Sequence, residues 1–258
     1  MKLTVLGGAG ACPNPGQGCS SYLVESSDER LLLDCGPDTL SVLREHADYR
    51  AVTAVLISHL HADHTLDLVP YRYGLKYGPD GTGRPVPLWL PPGGRAFLHR
   101  LAQALAGDDE ASSEFFESVF DVSEYDPQRG LSIGGFRVRF HPTRHYLPCW
   151  AIQVRDDDRT LAYLADTGPT TDWGNFGLHA DLMVCEGTLL AQPEHVTPEQ
   201  QGHLTARQAG EIARSRSARR LLLTHLWSEL GNERYRAEAA AGFGGPVDLA
   251  WPGLTLSL

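Results

Sequence analysis

The stretch that most constrains this chain is residues 54–64, where an apolar run is followed at once by metal-ligand side chains. The apolar part contains β-branched residues and predicts a buried strand. His59, His61, Asp63 and His64 then follow within six residues. In an extended chain alternate side chains lie on the same side, so His59 and His61 can bind one metal ion. Asp63 and His64 follow where the chain turns, and we expect them to face a second ion beside the first.

Composition limits the class of protein. The 258 residues are 42% hydrophobic and 21% charged, which is typical of a globular protein. This length suits one large domain, and we expect residues 1–258 to form a single domain. A formal net charge of −10 argues against a generally basic, nucleic-acid-coating surface, although two bound divalent cations can still attract phosphate. No apolar run approaches the ~18 residues of a membrane span, so no membrane association is expected.

The cysteines indicate a reducing compartment. They are odd in number, widely spread and without a Cys-x-x-Cys pair: Cys12, Cys19, Cys35, Cys149 and Cys185. Such a set fits neither a disulfide framework nor a zinc finger. We therefore predict reduced, buried thiols and a cytoplasmic protein. The first residues have too short an apolar run before Gly7 for a signal peptide, and we expect a strand there.

The pattern along the chain predicts two strand-rich halves. Predicted strands cover residues 2–6, 21–24, 30–34, 54–58, 88–90, 136–140, 151–154, 160–164, 182–185, 221–224, 247–250 and 254–258. Predicted helices cover about 36–46, 93–105, 205–215 and 233–241, and a further helix is predicted to begin at Thr65 or Asp67. Two β-rich halves that close face to face, with helices outside, form an α+β four-layer αββα sandwich, which is the predicted fold.

Three segments outside this pattern carry separate predictions. Residues 71–87 contain four glycines and three prolines, which predicts a long loop whose tyrosines would suit a substrate lid. Residues 108–117 predict an acidic helical insert with a solvated face. The Gly-rich residues 7–16 resemble a phosphate cradle only superficially, because they lack the Lys-Ser/Thr of a P-loop. We interpret them as a tight connection that could lie at the mouth of the site.

The remaining ligand-type residues occur where predicted strands end. Asp166 and His225 each come just after a strand, and His145 lies in the turn after another. A carboxylate has two oxygens, so Asp166 can bridge two ions about 3.5–4 Å apart. The predicted ligands form two sites that share Asp166: His59, His61 and His145 in the first, and Asp63, His64 and His225 in the second. His141 also follows a strand and competes with His145 for the first site.

These residues resemble the metallo-β-lactamase superfamily of hydrolases. The resemblance is carried by HLHADH at residues 59–64, by His145, by ADTG at 165–168 and by LTH at 223–225. It covers nearly the whole chain. The family pattern favours His145 over His141, because a proline follows His145 three residues later and a strand comes next.

Two further segments resemble one branch of that superfamily. CEGT at residues 185–188 is similar to the His-Glu-Ala-Thr segment of ribonuclease Z, and GHLTARQAG at 202–210 is similar to its His-Ser-Thr segment. Bacterial cyclic-nucleotide phosphodiesterases share these features, and the actinobacterial type is similar through residues 221–225 and 243–247. The resemblance therefore implies a ribonuclease Z-like or cyclic-nucleotide phosphodiesterase branch.

The chain also departs from the ribonuclease Z pattern. Bacterial ribonuclease Z has a long tRNA-grasping arm between the third histidine ligand and the bridging aspartate. Here 20 residues separate His145 from Asp166, and they include the acidic turn at residues 156–158. Such a surface lacks the positive charge that usually attracts a polyanion, so long RNA is disfavoured as a partner. Cys185 also replaces the histidine that usually precedes the glutamate.

The resemblance implies a metal-dependent hydrolase with an added acid. Metal ions lower the pKa of bound water from about 15.7 toward ~7, which makes hydroxide available at neutral pH. Asp63 would orient this water and accept its proton. His203 lies outside the metal set and would protonate the leaving alkoxide, with Glu186 fixing its tautomer. The competing interpretation of His203 is a residue that merely precedes the helix N-cap Thr205.

The predicted function is thus hydrolysis of a small cyclic-nucleotide phosphodiester with two divalent ions, zinc first and manganese or iron as alternatives. Ribonuclease Z-like cleavage of RNA 3′ ends is second. A lactone or thioester hydrolase is third, because neither gives a reason for His203 with Glu186. A non-catalytic metal-binding or redox module is last, since flavin-linked diiron relatives usually place a glutamate where His61 stands. The resemblance also implies a homodimer.

Overall fold

The structure is a computed structural model and describes residues 1–79, 83–106, 112 and 114–258. The strands, in chain order, are β1 (Lys2–Ala9), β2 (Gly18–Cys19), β3 (Ser21–Ser26), β4 (Glu29–Leu33), β5 (Ala54–Leu56), β6 (Val86–Leu90), β7 (Phe120–Glu124), β8 (Leu131–Ile133), β9 (Phe136–Pro142), β10 (Trp150–Arg155), β11 (Thr160–Tyr163), β12 (Leu182–Glu186), β13 (Leu221–Thr224), β14 (Val247–Leu249) and β15 (Thr255–Ser257). The helices are α1 (Thr39–His46), α2 (Ala62–Thr65), α3 (Leu68–Tyr77), α4 (Gly94–Leu105), α5 (Ala206–Ser215) and α6 (Asn232–Phe243).

The strands form two mixed sheets. The first has the order β15-β1-β3-β4-β5-β6-β7, with β2 paired to β1, and the second has the order β14-β13-β12-β11-β10-β9-β8. Strands β4 to β7 of the first sheet are parallel, as are β11 to β14 of the second. Parallel neighbours end at the same edge, so each sheet offers one edge where several strand ends meet.

Alternating side chains of the strands build a core between the sheets. In β4, Leu31 and Leu33 belong to the cluster that also contains Val154 and Leu161 of the second sheet. Leu32 between them belongs to a different cluster on the outer face. Strand β4 is therefore apolar on both faces, because one face meets the other sheet and one meets helices.

Helices cover both outer faces. Leu43 of α1, Tyr71 of α3 and Leu98 of α4 pack on the first sheet. On the second sheet, Ala209 of α5 and Ala239 of α6 pack on the outer face of β11 to β13. The order helix, sheet, sheet, helix confirms the predicted four-layer sandwich. Within the described part of the chain, the helices are too short or too polar to cross a membrane.

The predicted long loop at residues 71–87 is wrong for its first part, because α3 continues to Tyr77. Tyr71 and Leu75 are buried one helical turn apart, and this packing outweighs the breaking tendency of Gly74. Gly74 itself is close-packed: an added Cβ would lie 3.3 Å from the ring of Tyr49. Pro70 falls in the first turn of α3, where proline is tolerated. Residues 80–82 of the predicted loop lie outside the described residues.

The structure also bears on the predictions for the acidic segment, the end of β5 and the cysteines. Half of the predicted acidic helix at residues 108–117 lies outside the described residues, and residues 114–117 form a turn instead of a helix. Strand β5 ends at Leu56, two residues earlier than predicted. All five cysteines are free, as predicted, but Cys12 is exposed, so the prediction that every thiol is buried is wrong for that residue. Cys12 lies in the Gly-rich connection after β1, where the neighbouring residues Ala11 and Pro13 are exposed as well.

Candidate metal centre

The predicted site residues meet at the edge where parallel strands of both sheets end. In the second sheet, β11, β12 and β13 are consecutive parallel neighbours, and near their carboxyl ends lie Asp166, Glu186 and His225. In the first sheet, His59 follows the end of β5. Open sheets containing parallel strands commonly bind ligands in the crevice outside these strand ends. The two halves of the chain thus contribute side chains to one crevice.

The first ligand group consists of His59, His61, His145 and Asp166, whose ligand atoms all lie within 4.8 Å of one another. Nδ1 of His61 lies 3.1 Å from Nε2 of His59 and 3.0 Å from Nε2 of His145. Oδ2 of Asp166 lies 3.7 Å and 3.6 Å from the same two Nε2 atoms. Two nitrogens bound to one tetrahedral zinc at 2.0–2.1 Å would be about 3.3 Å apart, so this spacing fits a shared ion.

The second ligand group consists of Asp63, His64 and His225. Asp63 and His64 lie on α2, which begins directly after His61. Oδ2 of Asp63 lies 3.1 Å from Nε2 of His225 and 3.6 Å from Nε2 of His64. Asp166 joins this group too, because its two oxygens each lie 3.4 Å from one of those two histidines. Asp166 therefore lies between the two groups, as a bridging carboxylate would.

Hydrogen bonds outside the first group determine which ring nitrogens face inward. Nδ1 of His145 lies 2.8 Å from the carbonyl oxygen of Gly202, which can only accept, so Nδ1 carries the proton. Ser58 gives its hydroxyl hydrogen to Asp34, so at 3.1 Å it accepts from Nδ1 of His59. Both Nε2 atoms consequently present lone pairs to the cluster. Three ring nitrogens meet there with at most one hydrogen among them, which is an arrangement that favours a bound cation.

The second group is held in the same way. Oδ2 of Asp34 lies 2.7 Å from Nδ1 of His64 and accepts a hydrogen bond from it. Thr188 donates to Glu186 at 2.5 Å, so its oxygen accepts from Nδ1 of His225 at 2.8 Å. Nε2 of His64 is buried and has no hydrogen-bond partner among the described residues. A buried ring nitrogen without a partner costs free energy whether or not it is protonated, and a divalent ion is a ligand that this donor set fits.

The electrostatics of the cluster also favour a cation. Burial lowers the pKa of His59, His61 and His145, so these rings are neutral. Burial disfavours ionised Asp63 and Asp166, but His225 and His64 beside them outweigh it and hold the pKa of both carboxyls below its usual range. Burial likewise disfavours charged His64, yet Asp166 and Asp34 raise its pKa well above normal. In the absence of metal, a proton on His64 takes the place of the missing positive charge.

His203 and Glu186 form a pair beside the ligand groups. Oε1 of Glu186 lies 3.0 Å from Nδ1 of His203, and the two rings of His203 and His225 stack with centroids 5.3 Å apart. The His203 side chain is 21% exposed, so solvent and substrate can reach it. Burial opposes its charged form, but Glu186, followed by Asp166, raises the pKa of His203 to about 9. Thr205 is also the N-cap of α5, so the competing interpretation of this segment describes the backbone correctly.

The Gly-rich connection after β1 forms part of the site. The backbone N–H of Ala11 donates to Oδ2 of Asp63 at 2.9 Å. An added Cβ on Gly10 would lie 2.7 Å from Nδ1 of His225, so only glycine fits there. His225 itself has φ of 60°, a strained value for a residue with a side chain. The connection therefore shapes the ligand cluster, and its glycines permit close packing on His225.

Sequence reasoning missed several residues that orient the ligands. Buried Asp34 accepts from the backbone and hydroxyl of Ser58, from Tyr163 and from His64. It ends an apolar strand in the same way as Asp166, and that signal could have identified it. Thr188 was noted only as part of a motif. His141 lies outside the cluster, where its Nε2 faces the carbonyl of Asp172 at 2.6 Å.

Comparison with known proteins places the whole chain among metallo-hydrolases. Residues 29–226 match the family described as beta-lactamase superfamily domain. The chain is 30% identical over 259 residues to the probable metallo-hydrolase YhfI of Bacillus subtilis, with 98% of each chain covered. The crystal structure of YhfI superimposes with a TM-score of 0.86 at 29% identity, covering 99% of this chain and 98% of YhfI.

Ribonuclease Z proteins are similar over comparable lengths. The ribonuclease Z of Myxococcus xanthus is 26% identical over 303 residues, covering 100% of this chain and 98% of that protein. The crystal structure of the short form of human tRNase Z has a TM-score of 0.74 at 24% identity and covers 100% of this chain and 99% of its own. At 24% identity, the human structure is evidence for a shared fold alone. Each match spans nearly all of both chains, so the likeness extends well beyond the histidine motif.

Proposed function

The chain belongs to the metallo-β-lactamase superfamily as a hydrolase with ribonuclease Z-like relatives and a His/Asp metal-binding cluster, and on that premise we propose that it is a phosphodiesterase. We assign it a small cyclic nucleotide as substrate and two divalent ions as cofactors. Zinc is the first choice because imidazole nitrogens outnumber carboxylates in the ligand groups, and manganese or iron are the alternatives.

The observation that carries this proposal is the hydrogen-bonded pair of His203 and Glu186 beside the ligand groups. Hydrolysis of an alkyl phosphodiester expels an alkoxide, which needs a proton from a general acid. Nδ1 of His203 donates to Glu186 at 3.0 Å, which leaves Nε2 to face the substrate. A thioester expels a thiolate, a better leaving group, and a binding module expels nothing. Neither function requires an acid at this position.

Each residue then has a role of its own. When bound, the two ions supply a water of lowered pKa and neutralise the phosphoryl oxygens. Asp63, fixed by the N–H of Ala11 at 2.9 Å, orients that water and takes its proton. His203, whose pKa Glu186 raises to about 9 in the metal-free protein, would deliver the Nε2 proton to the leaving oxygen. Glu186 keeps His203 in this orientation and is itself fixed by the N–H of Thr167 at 2.8 Å.

The second candidate is cleavage of RNA 3′ ends, which the ribonuclease Z relatives support. Against it stands the segment between His145 and Asp166, which contains β10, β11 and an acidic turn instead of an arm. Asp157 and Asp158 are exposed in that turn, but the turn precedes β11 and lies at the edge opposite the ligand groups, so the case against long RNA rests on the shortness of this segment. We therefore favour the small substrate over long RNA.

The test compares 3′,5′-cyclic AMP with bis(p-nitrophenyl) phosphate, whose leaving group needs no protonation. We expect the zinc-loaded wild type to cleave both and Asp166→Ala to cleave neither. His203→Ala should keep its metal, lose about 100-fold or more in kcat on cyclic AMP, and lose much less on the nitrophenyl ester. His99→Ala, an exposed histidine on α4, is the matched control and should behave as wild type.

Three outcomes decide between the proposals. Equal losses on both substrates in metal-loaded His203→Ala would remove the general-acid assignment. Cleavage of the nitrophenyl ester and of a pre-tRNA, without cleavage of cyclic AMP, would favour the RNA candidate. No cleavage of any phosphodiester by the metal-loaded wild type would refute the phosphodiesterase and leave another hydrolase of the superfamily.

A further inference from the structure

An aromatic ring is fixed at the mouth of the crevice, beside the proposed acid. The ring centroid of Tyr146 lies 5.6 Å from that of His203, with the planes at 67°, and 5.1 Å from that of His145. Gly202 packs against the same ring so closely that an added Cβ would lie 2.6 Å from it. These three contacts hold the Tyr146 ring in a defined position, with one face against Gly202.

The rest of that ring is open. The Tyr146 side chain is 64% exposed, although it contacts two residues of the candidate site. Within the described residues its contacts are made by ring carbons, not by the hydroxyl. Tyr77, equally exposed at 65%, differs because it stacks on Tyr73 with centroids 6.0 Å apart. Tyr146 therefore offers an aromatic surface that no other described ring covers.

The position of this surface relates it to the leaving group. Nε2 of His203 must come within hydrogen-bond distance of the leaving oxygen if His203 protonates it. The organic group attached to that oxygen then lies next to His203, and the exposed ring of Tyr146 also borders His203. In a nucleotide the group attached through the ribose is a planar aromatic base. The apolar neighbour Leu147, 40% exposed, extends the same surface.

We propose that Tyr146 is a stacking platform that binds the nucleobase of the substrate. This inference rests on the proposed phosphodiesterase function and adds to it the part of the substrate that is recognised. Stacking of a base on an aromatic ring tolerates any base, since each has a π-face, and purines offer the larger area. Tyr146 then contributes to substrate affinity through its ring, and its hydroxyl is dispensable.

The experiment measures KM and kcat for 3′,5′-cyclic AMP and for the 3′,5′-cyclic phosphate of methyl riboside, which lacks the base. In Tyr146→Ala we expect KM for cyclic AMP to rise about tenfold, with kcat within twofold of wild type. The base-free substrate should show no change. Tyr146→Phe should keep the wild-type KM. Tyr77→Ala, with matched exposure, should leave both substrates unaffected, and metal content should be unchanged in every variant.

Several results would overturn the platform. Equal effects of Tyr146→Ala on both substrates would mean that the ring only supports His203 or His145. Loss of affinity in Tyr146→Phe would assign the effect to the hydroxyl. If the wild type cleaves neither cyclic phosphate, the proposed function fails separately, and the platform is then judged from the Kd of AMP by calorimetry. An unchanged Kd in Tyr146→Ala would refute the platform as well.

Discussion

At the scale of single residues, the candidate centre depends on hydrogen bonds made outside it. Asp34, Thr188 and the carbonyl of Gly202 each accept a hydrogen bond from the outward nitrogen of a ligand histidine. Such partners fix the tautomer and orientation of the ligand and increase its basicity. Thr188 has a second function, since it also donates to Glu186 at 2.5 Å and so links the acid pair to His225.

The role of Thr188 gives the first prediction. Thr188→Val preserves the shape of the side chain but removes the acceptor for His225, so metal affinity should fall about 10–100-fold. Competition with a chromophoric chelator measures this affinity without any substrate. Thr188→Ser keeps the hydroxyl and should bind metal as the wild type does. Wild-type affinity in the valine variant would show that the hydrogen bond to His225 is not needed.

His203 gives a prediction about pH in the metal-free protein. Its pKa rises from 6.5 to about 9 on folding, because Glu186 and Asp166 overcome the effect of burial. A raised pKa stabilises the folded state fully below pH 6.5, and this contribution disappears as the pH rises through about 9. The shift corresponds to a contribution on the order of 3 kcal/mol at most.

Thermal unfolding in chelator at a series of pH values measures this contribution. Between pH 6.5 and 9.5, the melting temperature of the wild type should fall more than that of His203→Gln, which has no titrating ring. His99→Ala again serves as the control and should follow the wild type. Parallel curves for wild type and His203→Gln would contradict the raised pKa.

At the scale of elements, local patterns predicted most strands and helices but failed where packing decided the outcome. Strands such as β4 and β13 are buried on both faces, so their apolar runs are unambiguous signals. The start of helix α3 was predicted, but its continuation to Tyr77 was hidden by Gly74, whose small size permits contact with Tyr49, a partner far away in sequence. Strands β7 and β8 were not predicted, although both alternate apolar and polar residues.

The candidate ligands could be predicted from their places at strand ends, whereas their supporting partners could not. His59, Asp166 and His225 are types that bind metal and follow apolar strands, so chemistry and position agree. Thr188 and Gly202 act through a hydroxyl and a backbone carbonyl, groups that occur throughout the chain. Only the fold shows which threonine or carbonyl faces a ligand histidine.

Helix α5 gives a prediction at this scale, because its start positions His203. Thr205 accepts from the N–H of Gln208 at 3.2 Å, and the Gln208 side chain accepts from the N–H of Thr205 at 2.9 Å. Thr205→Ala removes half of this capping box and should cost about 1 kcal/mol, lowering the melting temperature by about 2–4 °C. Thr205→Ser should restore it, and an unchanged melting temperature in the alanine variant would contradict the cap.

At the scale of the whole molecule, the candidate metal centre forms where the edges of the two sheets meet, and each sheet supplies part of it. The first sheet and its following loops supply His59, His61, Asp63 and His64. The second supplies His145, Asp166 and His225. Neither half of the chain contains a complete ligand group, because each group includes residues from both halves. Metal binding should therefore require the closed sandwich and stabilise it against unfolding.

The most direct test of this account is the number of metal ions per chain, counted by native mass spectrometry after reconstitution with zinc. We predict two ions in the wild type and in Asp172→Ala, a control that removes an exposed carboxylate. Asp166→Ala should hold fewer than two, because both ligand groups share that carboxylate. A wild type that binds one ion or none, or an Asp166→Ala variant that still binds two with wild-type affinity, would contradict the shared two-metal centre.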